Sequence, residues 1–403
     1  MRMSRFATTK LSTLFYLLFA TLVLISQAQA QRGQITYEEK RRQANDIAVS
    51  LVVSGISCTC ARFAEDIRNV VNDMRPDGVR VLPVLGVGGL QNLNDVLFLK
   101  GIDMGVIDED NLQLLKNRDP VLYANIEQRV QYITKLYNSE FHVLARNDIK
   151  TYEDLRGKKV NFNLKDSQTE VTSEIVFKML NIDVERSNYD NDDAIKRLRS
   201  GEIAAMIILS GAPQAGLVKV TSEDGVHFLP LDERSFPGNN VTAVLNRYLP
   251  TKLTHDEYPA LIPPGTSVPT IGNRAVLVAY AWPENSPRYK RLAKFVDEFF
   301  GKINDLQKGA ISGARHQKWR EISIAAEIPG WTRFKPAADW IAQDRKVAMA
   351  QSTAAPQSGN SKEMFEKFIS QYASPTGQKA LSTDEQEVLF GKFREFLATQ
   401  NRE

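Results

Sequence analysis

From Ile47 onward the chain alternates short apolar runs with stretches of helical periodicity, and this alternation constrains the fold more than any other feature. "IAVSLVVS", just before Gly55, is a continuous apolar run of the kind that forms a strand covered on both faces. Phe63, Ile67, Val70, Val71 and Met74 then share one helical face, and "RPDG" stops that helix. "VRVLPVLG" predicts a second strand, "LQNLNDVLFLKG" a helix with Leu90, Leu93 and Leu97 inward, and "IDMGVID" a third strand. Such a βαβαβ series builds an open, mostly parallel sheet flanked by helices.

"YITKLY" and "FHVLAR" predict two further strands, and after Arg146 the pattern restarts. "IKTYEDLRGKKVNFN" gives a short helix capped near Thr151, a turn at Gly157 and a strand. "TEVTSEIVFKMLNI" and "DNDDAIKRLRSG" predict helices, "IAAMIIL" a strand, and Ala212-Pro213 the opening of another helix, with proline in its first turn. "VHFLPLD" closes this second α/β unit. "RAVLVAYAW", an isolated apolar strand before a helix at Arg288 to Phe300, predicts a return crossing to the first unit. The expected architecture is α/β and two-lobed, with crossing strands as a hinge. Lobe 1 is 45–145, lobe 2 is 146–265, and 266–345 is the return strand with helices packing on lobe 1. A small, polar segment predicts a linker over 346–361, followed by a helical tail over 362–403 with a capping box at Ser382 to Glu385.

The N-terminus bears on compartment. Arg2, Arg5 and Lys10 precede the apolar run Leu14 to Ile25, and "AQA" ends at Ala30. The run is too short for a membrane span, which takes about 20 residues. Basic start, short apolar run and A-x-A site predict a signal peptide over 1–30, cleaved after Ala30, and hence export to the periplasm. The full chain has a formal net charge of +3. Those three basic residues account for all of it, so the mature chain is neutral. Neutrality gives no electrostatic case for nucleic acid, and no later segment inserts directly into a membrane.

In open α/β sheets, ligands sit beyond the carboxyl ends of strands, where helix N-termini favour anions. "GISCT", "GVGGLQN", "DED", "LKDSQT" and "SGAP" all occupy such strand-to-helix positions, and loops from both units would converge on one crevice. Each has a plainer reading as a turn, a cap or a solvated helix start. "GVGGLQ" lacks dinucleotide spacing and is followed by no Walker lysine. No H-E-x-x-H or G-x-S-x-G motif occurs, so the expected protein is not an enzyme and needs no cofactor.

The stretches "GGLQNLNDVLFLKGIDMGVIDEDNL", "YITKLYNSEFHVLAR", "DIKTYEDLRGKKVNF" and "AIKRLRSGEIAAMIILSGAP" resemble the TAXI family, the extracytoplasmic solute-binding proteins of TRAP transporters. The resemblance runs from about Ile47 to about Trp282, and more loosely to Trp340. It implies a type II periplasmic-binding fold whose lobes close on a small organic solute, such as a carboxylate or amino acid. The closed form would then dock on an integral-membrane TRAP permease. The family's first glycine-rich loop aligns with "SGISCTCARF", which places Ser57, Cys58 and Thr59 at the ligand in place of glycines and a tyrosine pair. Its second loop implies Gly89, Gln91 and Asn92, and the acidic position after the third strand implies Asp108. Tyr137 and Asn138 match the crossing strand, Ser167 and Thr169 the loop "DSQT", and Ser210 and Pro213 the last loop.

Cys58 and Cys60 are the only cysteines. Two thiols supply half of a structural zinc site, and no histidine has helpful spacing, so no metal is expected. A disulfide across so small a ring is awkward, yet an oxidising compartment favours one, so a bridge and unpaired thiols lining the pocket both stay open. Two other functions also stay open: a ligand sensor or partner-binding protein on the same fold, and a cysteine-based redox or metal protein.

Overall fold

The structure is a computed structural model, and it describes residues 35–236 and 239–354. The segment read as a signal peptide and the tail 362–403 lie outside the described residues. Helix α1 (Tyr37–Asp46) leads into β1 (Ala48–Val53), α2 (Thr59–Val71), β2 (Arg80–Leu85), α3 (Gly89–Phe98) and β3 (Met104–Asp108). Two short helices, α4 (Asn111–Arg118) and α5 (Ile126–Arg129), precede the long strand β4 (Val130–Arg146). The second series is β5 (Lys159–Asn161), α6 (Gln168–Leu180), β6 (Glu185–Ser187), α7 (Asn191–Ser200), β7 (Ala205–Ser210) and β8 (Val226–Phe228). Then come α8 (Asn239–Arg247), β9 (Leu249–Thr254), β10 (Ser267–Tyr280), α9 (Pro287–Gly301), α10 (Ile303–Ile311) and α11 (Lys335–Ala354).

The strands form one sheet in the order β2-β1-β3-β10-β4-β7-β5-β6, with β8 on β4 and β9 on β10. Strands joined by helical crossovers are parallel: β1 with β2 and β3, and β5 with β6 and β7. The two long strands run antiparallel to each other and pass through both halves. β10 pairs with β3 over Ala275–Ala279 and with β9 over Ser267–Gly272. β4 pairs with β10 up to Glu140 and with β7 from Glu140 to Ala145. This is the α/β architecture that the alternating pattern predicts.

Each half of the sheet is covered on both faces, which explains the continuous apolar runs. Leu51 faces a core with Phe63, Phe295, Phe299 and Trp319, while its neighbour Val52 faces one with Leu93, Ile107 and Val276. In the second half Ile207 joins Phe141, Val160 and Phe177, and Ile208 joins Leu144, Leu198 and Phe228. Successive residues of a strand point to opposite faces, so a strand with a helix layer on each side needs no polar alternation. Each fully buried side chain of this size contributes about 1.5–3 kcal/mol.

The structure departs from the sequence reading in four places. "YITKLY" and "FHVLAR" are one strand, because "NSE" between them contains no breaker and continues the ladder, Ser139 opposite Asn273 and Glu140 opposite Gly272. Ala212-Pro213 opens no α-helix; the peptide is cis, and only a 3₁₀ turn at Leu217–Lys219 follows. There the Gln214 side chain accepts from Leu217 N at 2.8 Å and closes the turn locally. Helix α2 ends at Val71, so Met74 lies beyond it and is 63% exposed rather than inward. Helix α11 runs to Ala354, into the segment 346–361 read as a linker. Among the described residues, no helix is long and apolar enough to cross a membrane.

Candidate functional site

At the carboxyl ends of β1, β3, β5 and β7 lies an open cleft of about 770 Å³, adjoining solvent included. Four helices begin at its wall. Cys58 caps α2, Gly88 precedes α3, Ser167 caps α6 and Asp190 caps α7, and all four residues line the cleft. The first turn of a helix has N–H groups without intrahelical partners and the positive end of the dipole, so such a ring favours negative ligand groups.

The structure brings Ser57, Cys58, Gly89, Asp108, Tyr137, Ser167, Thr169 and Ser210 to this lining. The other residues chosen from sequence lie elsewhere. Asn92 is fully buried and structural: its Nδ2 donates to Val106 O at 3.0 Å and its Oδ1 accepts from Gly88 N at 3.1 Å. Tyr137 and Ser139 face the cleft, so Asn138 between them falls on the opposite face of β4. Thr59 spends its hydroxyl on Gly211 O at 2.6 Å. Gln91 sits within α3, off the lining. Pro213 opens on a separate pocket, where its carbonyl accepts from His316 Nε2 at 3.2 Å.

Sequence reasoning passed over Ser54, Ser139, Gln168, Asn191 and Gln214, which also line the cleft. Gln168 and Asn191 were within reach, because each is the first residue of a helix that follows a strand. Gln214 gave no such signal. Its place depends on the turn after Pro213, which the pattern misreads as helix.

Several of these groups join the two halves across the cleft. Asn111 Nδ2 donates to Gln168 Oε1, and Gln168 Nε2 donates to Asp110 Oδ1 at 3.2 Å. Asn191 Nδ2 donates to Ser57 Oγ at 3.0 Å, and Gln214 Nε2 to Ser57 O at 2.8 Å. Arg118 pairs with Asp166 at 2.9 Å. Gly89, at φ +56°, has no room for a side chain: an added Cβ would stand 2.6 Å from Gln168 N. Gly211 is equally confined, with Thr59 and Tyr137 carbons 2.9 Å from where its Cβ would be. Glycine at these two positions lets the halves approach at backbone distance.

A disulfide joins Cys58 and Cys60. Cys60 Sγ accepts from Ser54 N at 3.2 Å, and Cys58 Sγ accepts from Cys60 N at 3.2 Å. The bridge staples the cap of α2 to its first turn, the bond from Ser54 N ties it to the end of β1, and both cysteines form part of the cleft wall. Among the described residues, no group of three histidine, cysteine, aspartate or glutamate side chains is placed to hold a metal ion.

The lining carries Asp108 and Asp190 and no lysine, arginine or histidine. Asp190 accepts from Asp193 N at 2.9 Å as the cap of α7. Asp108 is 8% exposed and its Oδ1 is buried with no partner. Burial holds its carboxyl well above the usual range, and the charges of Asp110 and Glu109 add to that. Burial likewise pushes the Tyr137 phenol up, with Asp108 and Glu140 adding, so it stays a neutral donor.

Residues 73–308 match the model of the NMT1-like family, which covers more than half of the chain. The chain belongs to the NMT1-like family. No curated protein matches the sequence. Among solved structures it is similar to an ancestral arginine-binding protein bound to arginine, at 14% identity and a TM-score of 0.40, over 68% of this chain and 98% of that one. It is also similar to a structure described as a periplasmic transporter, at 12% identity and a TM-score of 0.42, over 64% and 83% of the two chains. A third is the alkanesulfonate-binding protein SsuA of Xanthomonas axonopodis pv. citri bound to MOPS, at 11% identity and a TM-score of 0.38, over 68% and 82%.

Proposed function

We propose that this protein is a periplasmic solute-binding receptor of the TRAP type, related to the TAXI proteins. In this reading it captures a small organic solute, a carboxylate or an amino acid, in the cleft and delivers it to an integral-membrane permease. The observation that carries it is the ring of four helix starts, two from each half of the sheet, around one cleft bridged by the continuous strands β4 and β10. The halves correspond to lobes over 45–145 and 146–265, with the return strand and its helices on the first. The reading includes export with cleavage after Ala30, binding without chemistry, and Ser57, Cys58, Gly89, Asp108, Tyr137, Ser167, Thr169 and Ser210 as contacts. A solute that bridges the lobes would shift an open–closed equilibrium by its preference for the closed form.

A thermal-shift screen of the mature protein against carboxylates and amino acids tests it. A ligand present at 100 times its Kd stabilises by about 2.7 kcal/mol, a shift of several degrees. No shift across a wide panel of both classes would move the reading to a protein that binds partners rather than solutes.

A further inference from the structure

Asp108 stands at the carboxyl end of β3, opposite Ala275 of β10, and both residues line the cleft. Its acidic neighbours each hold a partner. Glu109 holds Arg274, with Nη1 at 2.8 and 3.0 Å from its two oxygens. Asp110 Oδ1 accepts from Asn273 Nδ2 at 3.0 Å and from Gln168 Nε2 at 3.2 Å. Asp110 Oδ2 is also buried without a partner, but of the three only Asp108 lines the cleft, and among the described residues no cationic side chain lines it to meet the Asp108 oxygen. A buried carboxylate with nothing to pair with is costly, and a solute cation would relieve that cost. Tyr137 shares this stretch of wall.

We propose that Asp108 is an amine subsite: the cleft takes a solute with a primary ammonium group, which Asp108 receives. This rests on the reading of the cleft as a solute site and narrows it. Where the solute also bears a carboxylate, the helix starts at Gly89 and Gln168 stand within the same wall to receive it. A solute with two carboxylates and no amine would bring no cation to Asp108.

The test uses the mature full chain and matched probes: neutral L-amino acids, the 2-hydroxy acids of the same skeletons, and C4 dicarboxylates. Titration calorimetry measures each against wild type and Asp108→Asn. Asparagine keeps size and hydrogen-bonding capacity but cannot carry the charge, and unchanged circular dichroism and melting temperature confirm that the variant is folded. We expect at least one amino acid to bind, its 2-hydroxy acid to bind about tenfold or more weakly, and Asp108→Asn to abolish that preference. A protein that binds hydroxy acids or dicarboxylates as well as amino acids, or an Asp108→Asn variant that keeps the preference, overturns the amine subsite and leaves the receptor reading standing. Failure of all three probe classes to bind overturns both.

Discussion

Glu140 is the residue at which β4 leaves β10 and takes β7 as its partner, and it is buried with Lys318. Its carboxylate accepts from Lys318 Nζ at 2.6 Å and from Ala212 N at 2.7 Å, just beyond the cleft wall at Ser210. Burial outweighs these partners and pushes the carboxyl up from 4.5 to about 7. His142, two residues on, donates from Nδ1 to Ile208 O at 3.1 Å and accepts at Nε2 from Tyr258 Oη at 2.7 Å. Burial lowers His142 to about 4, and lowers His316 likewise. The two kinds of group act oppositely on stability. Glu140, with its folded value raised, contributes stability that is full below about 4.5 and lost as pH rises through about 7. The histidines, with theirs depressed, contribute stability that is present above 6.5 and lost as pH falls toward about 4. Two histidines oppose one glutamate, so on these three groups alone wild-type stability should rise from about pH 4 to 6.5. Glu140→Gln keeps the bond from Ala212 and removes one slope. The unfolding free energy of the variant minus that of wild type should rise from pH 4.5 to 7, by up to about 3 kcal/mol. Urea denaturation at a series of pH values measures it, and a difference that stays flat would show that Glu140 is ionised throughout.

At the scale of elements, the C-terminal third is tied to α2 through one buried carboxylate. Asp66 is fully buried and accepts from Trp319 Nε1 at 2.9 Å and His316 N at 3.1 Å, and it pairs with Arg62 at 3.2 Å and Arg315 at 3.3 Å. Trp319 also stacks on Phe63 of the same helix, ring centroids 4.1 Å apart. Asp66→Ala should cost about 3–5 kcal/mol, because it strands buried donors and two cations at once. Thermal denaturation checks this; a loss below about 1 kcal/mol would mean that the Phe63–Trp319 packing alone holds the segment. None of this tether was legible in the sequence. The period of α2 marks Phe63 and Ile67 as inward, and they are, but Asp66 between them reads as a solvated charge until Trp319 arrives from a turn some 250 residues on. Strands and helices were legible because their apolar spacing is local. The cleft's general place was legible because it follows from strand ends. What escaped was whatever depends on two distant segments meeting: Asp66 on Trp319, Gln168 on Asn111, Gln214 on Ser57.

For the whole molecule, in the proposed receptor the same distant meetings would hold the cleft shut. Among the described residues the halves are joined continuously only through β4 and β10, and they otherwise touch through side-chain hydrogen bonds across the cleft and through Val171 of α6, which packs on the apolar core of the first half. Hydrogen bonds of this kind contribute about 1 kcal/mol each, so the closed form is held by an amount that a small solute can match. Gln168 makes two of them, to Asn111 and to Asp110, from the first residue of α6. Gln168→Ala should remove about 2 kcal/mol from the closed form alone, a shift of about 30-fold toward open. Small-angle scattering of the protein without solute should then show a larger radius of gyration, and saturating solute should restore the wild-type value. The core is untouched, so the melting temperature should move by only a few degrees. A variant that binds solute more weakly at an unchanged radius of gyration would instead make Gln168 a contact of the solute, in a cleft whose walls do not move apart.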